Sequence, residues 1–180
     1  AEYPSGLIAQ LAESKEGGKQ AKAEEFADKL LKTLNRKDQP EDAIAVIDLL
    51  VAWHPTDRPW KFKIVDRINE CFKENREALL MVKCCGWDDV RLKPLENYRR
   101  FKTLYNIREG AYVFERTWGF GTVSALLFQE GKIEADFIDR PQHQMALSYV
   151  AESLELIDEH HLHAQAALDP EGFAALPQDD

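Results

Sequence analysis

The hydrophobic pattern of this chain changes at one stretch, Gly110-Ala111-Tyr112-Val113-Phe114-Glu115-Arg116-Thr117-Trp118-Gly119-Phe120-Gly121-Thr122-Val123. Its first residues alternate, so that Ala111, Val113 and Glu115 fall on one side of an extended strand and aromatic residues fall on the other. The two glycines around Phe120 permit a backbone conformation that a β-carbon opposes, which lets the chain bend sharply. The stretch therefore predicts a strand that is broken by a kink at Trp118–Gly121.

More short strands are predicted on the C-terminal side of this kink, with turn residues between them. Four or five strands in about 50 residues fit a small closed barrel, because closure leaves no exposed strand edges. The predicted segments are strands over 122–128, 132–138, around Met145 and Leu147, and over 154–156, one helical turn over 149–153, and a helix from Ile157 to the stop at Asp169-Pro170.

On the N-terminal side of the kink, apolar residues recur at helical spacing. Short breaks such as Asp38-Gln39-Pro40 and Pro55 separate the segments, which is typical of antiparallel helical hairpins. The predicted helices carry Ile8, Leu11 and Ala12; Phe26, Leu30, Leu31 and Leu34; Ile44, Ile47, Leu50 and Val51; Phe62, Val65, Ile68, Phe72, Leu79 and Leu80 on one helix from about 59 to 83; and residues from about 95 to 105. The predicted fold class is α+β: an N-terminal α-helical bundle or helical-hairpin stack at 1–106, a small β-barrel at 107–157, and a C-terminal helix and linker at 158–180.

The composition is that of an ordinary globular protein, with 44% hydrophobic and 31% charged residues among 180. No apolar run is long enough to predict a membrane span, and no signal peptide is visible at the start. The three cysteines, Cys71, Cys84 and Cys85, lack the spacing of a zinc or redox site, so we expect free thiols and a cytoplasmic location.

The net charge of −9 is concentrated in the C-terminal part of the chain. Residues 101–180 hold 5 basic and 14 acidic side chains, whereas residues 1–100 hold 18 of each. Acidic surfaces repel phosphate backbones, so this pattern favours a protein partner with a basic surface.

The quoted stretch, together with Ala135-Asp136-Phe137, resembles the opening of bacterial Tudor-like domains, which are SH3-like barrels. Such domains occur in CarD-type transcription regulators, in transcription-repair coupling factors and in UvrD-type helicases. They are chiefly docking modules for RNA polymerase. The resemblance therefore implies a Tudor-like barrel and RNA polymerase as the partner.

A closer likeness covers about residues 95–165. The segments Asp136-Phe137, His143-Gln144-Met145 and Tyr149-Val150-Ala151, followed by Leu154, Leu156 and His160, are similar to the region that precedes the Gre-factor domains in long GreA-like transcription elongation factors. The acidic-tipped coiled coil that stimulates transcript cleavage in Gre factors is not among these residues, so that activity is not expected of them. The resemblance implies a non-catalytic module.

Two groups of residues are candidate binding sites. Trp118, Phe120, Tyr112 and Phe114 are candidates for protein binding, because aromatic residues commonly anchor interfaces; the alternative is that Trp118 and Phe120 fill the core. Arg58, Trp60, Lys61, Lys63 and Arg67 interleave cations with an aromatic ring, as single-strand binders do, and Arg99 and Arg100 are further candidates for nucleic-acid binding. The alternative is a helix start in which basic stems cover Trp60 and Phe62. A structural spacer for a downstream domain is the third possibility.

No catalytic or cofactor site is predicted. The sequence has no nucleophile motif and no P-loop, and Gly119-Phe120-Gly121 lacks the third glycine of a nucleotide fingerprint. We therefore expect no enzyme activity, no cofactor, no metal and no small-molecule substrate. His160, His161 and His163 are expected to be surface or capping residues rather than metal ligands.

Overall fold

The structure, a computed structural model, describes residues 3–13, 20–158 and 160–174. Within these ranges, helices fill the N-terminal part and an antiparallel sheet follows, which confirms the predicted order of helices and strands. The helices are α1 Tyr3–Glu13, α2 Gln20–Arg36, α3 Pro40–Trp53, α4 Arg58–Cys71, α5 Arg76–Lys83, α6 Pro94–Asn106, α7 Leu147–Ser153, α8 Leu162–Leu168 and α9 Pro170–Ala174. The strands are β1 Tyr112–Glu115, β2 Gly119–Leu127, β3 Lys132–Phe137, β4 Arg140–Ala146 and β5 Glu155–Ile157.

The chain divides into two compact units between Tyr98 and Arg99, within α6. The first unit buries one apolar side of each of its helices, as the helical spacing requires. Its buried side chains include Leu30, Leu31 and Leu34 from α2, Ile44, Ile47 and Leu50 from α3, and Trp60, Ile64 and Ile68 from α4. No helix in the described ranges is long and apolar enough to cross a membrane.

The single helix predicted from about 59 to 83 is wrong, because two helices occupy this range. At Phe72 the backbone leaves the helical conformation, with φ of −112° and ψ of 20°. Asn75 then opens α5, and its side chain accepts a hydrogen bond from the Ala78 N–H at 3.0 Å. An asparagine cap satisfies an N–H group that a helix start leaves without a partner, so it stabilises a new start here.

Two aromatic side chains that were expected to face inward are exposed. On α4 the buried side is set by Trp60, Ile64 and Ile68, spaced four residues apart, and this leaves Phe62 65% exposed. Phe26 of α2 is also exposed.

The second unit contains a five-stranded antiparallel sheet in the order β4-β3-β2-β1-β5. In β1, Val113 and Glu115 are buried while Tyr112 and Phe114 are only partly so, as the alternation predicts. A break was expected at Trp118–Gly121, but Gly119–Gly121 begin β2 and pair with β1. The turn lies just before them, over residues 116–118.

Gly121 allows the close approach of β2 to β3. A β-carbon at this position would lie 2.6 Å from Cδ1 of Phe137 and 2.9 Å from the carbonyl oxygen of Asp136, closer than real atoms approach. Gly119 has a different role, because its φ of 76° lies in the left-handed region that favours glycine.

The end of the second unit differs from the predicted long helix. Ile157 lies in β5 and pairs with Tyr112 of β1, so no helix starts there. Instead α8 begins at Leu162, after His161, whose ring Nδ1 accepts a hydrogen bond from the Ala164 N–H at 3.3 Å. The fourth strand is longer than the predicted segment at Met145 and Leu147, and Leu147 already belongs to α7. The predicted linker at 176–180 lies outside the described residues.

Candidate functional site

Several aromatic rings meet around Trp118, in the turn between β1 and β2. The centre of the Trp118 ring lies 4.1 Å from that of His143, 5.5 Å from that of Phe137 and 5.9 Å from that of Tyr149. Phe137 is buried, whereas Trp118, His143 and Tyr149 all retain exposed surface. We call these last three residues the aromatic platform. They come from a turn, from β4 and from α7, so only the folded unit brings them together.

Glu115 is a buried carboxylate that holds two members of the platform. One oxygen, Oε2, accepts hydrogen bonds from the N–H groups of Thr117 at 2.6 Å and Trp118 at 3.2 Å, and Oε1 accepts one from the Tyr149 hydroxyl at 2.9 Å. Burial opposes ionisation of this side chain, which is only 3% exposed, but the hydrogen bonds outweigh it and lower the pKa of Glu115. The side chain is therefore a carboxylate at neutral pH.

A cation already lies against the platform. The guanidinium carbon of Arg140 is 5.4 Å from the centre of the Trp118 ring, within the range of cation–π contacts. Burial, and then the charge of Arg140, lower the pKa of His143, while Glu115 acts in the opposite direction. At pH 7 the imidazole is therefore mainly uncharged, and Arg140 is the cation of this cluster.

The other predicted protein-binding residues form a separate group. Phe114 and Phe120 are cross-strand partners in β1 and β2, and their ring centres are 5.2 Å apart. Phe120 also lies 5.8 Å from the ring of His161. Tyr112 is two residues from Phe114 and so on the same side of β1. The structure thus brings Phe114 and Phe120 together and places Trp118 in a different cluster.

In the first unit, the predicted basic and aromatic group surrounds a ring that is already covered. Trp60 is 6% exposed and stacks on His54 at 3.8 Å, with the two rings nearly parallel. The ammonium of Lys63 and the guanidinium of Arg67 lie 4.5 Å and 5.2 Å from the same ring. His54 is held in turn by Glu24, whose Oε1 lies 2.8 Å from Nε2 of the imidazole. A base has no free face of Trp60 on which to stack, so this residue is part of the core of its unit.

Lys61 is also buried, at 4% exposure, and serves the fold. Its ammonium donates to the carbonyl oxygens of Asp89 at 2.6 Å and Leu92 at 3.4 Å. Burial lowers the pKa of Lys61, although the charges of Asp89 and Asp88 oppose this shift. The side chain therefore ties the segment after α5 to α4 and is not presented to a partner.

The remaining basic candidates differ in accessibility. Arg67 forms a bidentate pair with Asp28, at 2.7 Å from Nε and 2.9 Å from Nη2, so its charge is largely matched. Arg58 and Lys63 are exposed. Arg99 is exposed and Arg100 lies 3.7 Å from Glu152, both in the second unit.

The thiols and the possible metal ligands can also be compared with the geometry of known sites. No group of three or more His, Cys, Asp or Glu residues among those described is arranged to hold a metal ion. Burial raises the pKa of Cys71 to about 11, despite a hydrogen bond with Asn35, and burial also raises the pKa of Cys84. Both thiols are therefore protonated at neutral pH, which makes them weak nucleophiles.

The chain matches no family model, no curated protein and no solved structure.

Four residues of the platform region were not among the predicted sites: Glu115, Arg140, His143 and Tyr149. One of them has a signal in the sequence, because Glu115 shares a side of β1 with Val113 and a charge on the apolar side of a strand needs buried partners. The other three have no such signal, since they lie 22 to 31 residues beyond Trp118 along the chain.

Proposed function

We propose that this chain is a non-catalytic, transcription-associated module that docks on bacterial RNA polymerase in the cytoplasm, as part of a GreA-like elongation factor. The second unit provides the docking surface in this proposal. The observation that carries it is the aromatic platform. Its central residue, Trp118, belongs to the stretch that resembles Tudor-like domains. Partly exposed tryptophan and tyrosine side chains are favoured anchors of protein interfaces.

The strand arrangement supports the finer proposal of an SH3-like or Tudor-like barrel. Four consecutive strands form a meander, α7 follows, and β5 returns to pair with β1 at the other side of the sheet. This connection covers the edge of β1, and α7 contributes Leu147 and Val150 to the core. β4 and β5 remain the two edge strands of the sheet, and a short edge strand such as β5 is one way in which small β domains limit edge pairing.

The charge of the second unit supports a basic partner surface. Residues 99–180 hold 7 basic and 14 acidic side chains, a net charge of −7. Charge complementarity of this kind raises association rates and suppresses wrong partners.

The proposal is tested by measuring binding of the whole chain to purified bacterial RNA polymerase core enzyme on a biosensor surface. We expect Trp118→Ala to weaken binding at least tenfold, as truncation of an interface anchor does. Phe62→Ala is the matched control, because it removes an exposed aromatic ring from the first unit and should leave binding unchanged. Circular dichroism establishes that each variant is folded. No binding by the unmodified chain, or equal binding by both variants, would contradict the proposal.

A nucleic-acid role of α4 is the alternative. The exposed ring of Phe62 lies in sequence between the exposed cations Arg58 and Lys63, and this arrangement favours contact with a single strand. An electrophoretic shift of single-stranded DNA or RNA at low salt, lost in Phe62→Ala and in Lys63→Gln, would support this alternative.

A further inference from the structure

We propose that the aromatic platform recognises an arginine side chain of the protein partner, and that Arg140 occupies the same place in the free chain. This inference rests on the proposed docking function and names the chemistry of the group that is bound.

The contact between Arg140 and Trp118 shows that the platform accepts a guanidinium group. A guanidinium is planar and weakly hydrated, so it packs on an aromatic ring better than an ammonium does. The face of the Trp118 ring carries a negative electrostatic potential. The buried Glu115 carboxylate adds a negative charge nearby, because it accepts hydrogen bonds from the Tyr149 hydroxyl and from the Trp118 N–H. Because the imidazole of His143 is mainly uncharged at pH 7, it adds little repulsion toward an incoming cation.

Arg140 is held in a way that allows exchange. Its side chain is exposed, it lies on the edge strand β4, and within the described residues it forms no ion pair. Trp60 in the first unit differs from Trp118 in accessibility. Its ring is 6% exposed, stacks on His54 and contacts two cations, Lys63 and Arg67. Trp60 is closed to a partner, whereas Trp118 keeps exposed surface and is covered by a side chain that can leave.

The charge of the second unit favours this kind of partner over an anionic one. With a net charge of −7 on residues 99–180, a basic protein segment is attracted and a phosphate-bearing ligand is repelled. The expected occupant is therefore an arginine within a basic surface segment of the partner protein.

The test uses the whole chain and a blocked tripeptide, acetyl-Gly-Arg-Gly-amide, with its citrulline analogue as the uncharged isostere. Binding is followed by the NMR shift of the Trp118 indole N–H. We expect a saturable shift with a dissociation constant in the millimolar range, and about two- to fivefold weaker binding of the citrulline peptide, which lacks the charge of the cation–π contact. Arg140→Gln removes the internal competitor and should strengthen binding about two- to fivefold, which is the range that one exposed cation–π contact supplies.

Arg116→Gln is the matched control, because it removes one positive charge from an exposed arginine two residues from Trp118. It should leave peptide affinity close to that of the unmodified chain, which separates competition by Arg140 from a general charge effect. Equal binding of the arginine and citrulline peptides, or unchanged or weaker binding in Arg140→Gln, would overturn the inference.

The polymerase measurement is made in parallel on the same proteins. Polymerase binding without arginine-peptide binding would reject the arginine site and leave the docking proposal standing. Peptide binding at Trp118 without polymerase binding would reject the polymerase as the partner and keep the arginine site.

Discussion

Lys61 illustrates how a basic residue in an aromatic stretch serves the fold. Its ammonium bonds to the carbonyl oxygens of Asp89 and Leu92, and Lys61→Met keeps the apolar stem while it removes these bonds. We expect the free energy of unfolding to fall by about 1–2 kcal/mol, because two carbonyl groups lose a charged donor while the cost of burying the charge disappears. Urea unfolding measures this loss. The control is Lys73→Met, which removes an exposed ion pair and should change the free energy of unfolding by less than about 0.5 kcal/mol. An equal loss of unfolding free energy in both variants would contradict the role of Lys61.

The lowered pKa of Glu115 should make the stability of the second unit depend on pH. Its pKa is lowered in the folded state, so its contribution to stability is present above the pKa of the unfolded chain, about 4.3, and is lost as the pH falls through the folded value. Glu115→Gln should therefore be less stable at pH 7, by about 1–3 kcal/mol, with a difference from the unmodified chain that shrinks below about pH 4. Thermal unfolding across pH 3 to 7 measures this, with Glu130→Gln, at an exposed turn, as the control. A difference that is constant over this range would show that the carboxylate is not the cause.

At the scale of single strands, the approach of β2 to β3 depends on Gly121. Gly121→Ala should cost at least about 2 kcal/mol, because its β-carbon meets the Phe137 ring and the Asp136 carbonyl oxygen. Gly119→Ala should cost about 1–2 kcal/mol from backbone strain alone, because the space around it is open and only its φ is unfavourable. Near-ultraviolet circular dichroism should report altered packing of Trp118 on Phe137 in the Gly121 variant only. The same spectrum in both variants would argue against the close contact.

Strand positions were largely predictable because alternation is a local property. The strand expected over 132–138 is β3 at Lys132–Phe137, and its buried residues Ile133, Ala135 and Phe137 follow the pattern. Most of β4 gave no such signal, since an edge strand with exposed residues such as Pro141 and Gln144 does not need apolar alternation.

The breaks between helices were harder to predict, and the candidate site harder still. Between α4 and α5 the sequence has neither glycine nor proline, and the new start depends on the cap formed by Asn75. Trp118 was a candidate for protein binding, with a place in the core as the alternative, but its neighbours His143 and Tyr149 reach it through tertiary structure that no local pattern encodes.

For the molecule as a whole, the C-terminal part of α6, from Arg99 onward, belongs to the second unit, which contains the sheet. Phe101, Leu104 and Ile107 are fully buried and lie within the second unit, and Arg100 of α6 approaches Glu152 of α7 at 3.7 Å. The predicted boundary was residue 106, because the last predicted helix ends near residue 105 and the alternating pattern begins at Gly110. A change of period marks the end of a helix, but it does not indicate which core that helix completes.

This assignment predicts which fragments fold. A fragment of residues 94–174 keeps α6 from its first residue, Pro94, and should melt cooperatively. A fragment of residues 107–174 lacks Phe101 and Leu104, whose burial contributes about 2 kcal/mol each, so it should be less stable by about 4 kcal/mol and largely unfolded at 37 °C. Circular dichroism melting and the dispersion of amide NMR signals measure both outcomes. Equal melting temperatures would mean that the β-strands form their core without α6, and the arginine-peptide test would then be repeated on the shorter fragment.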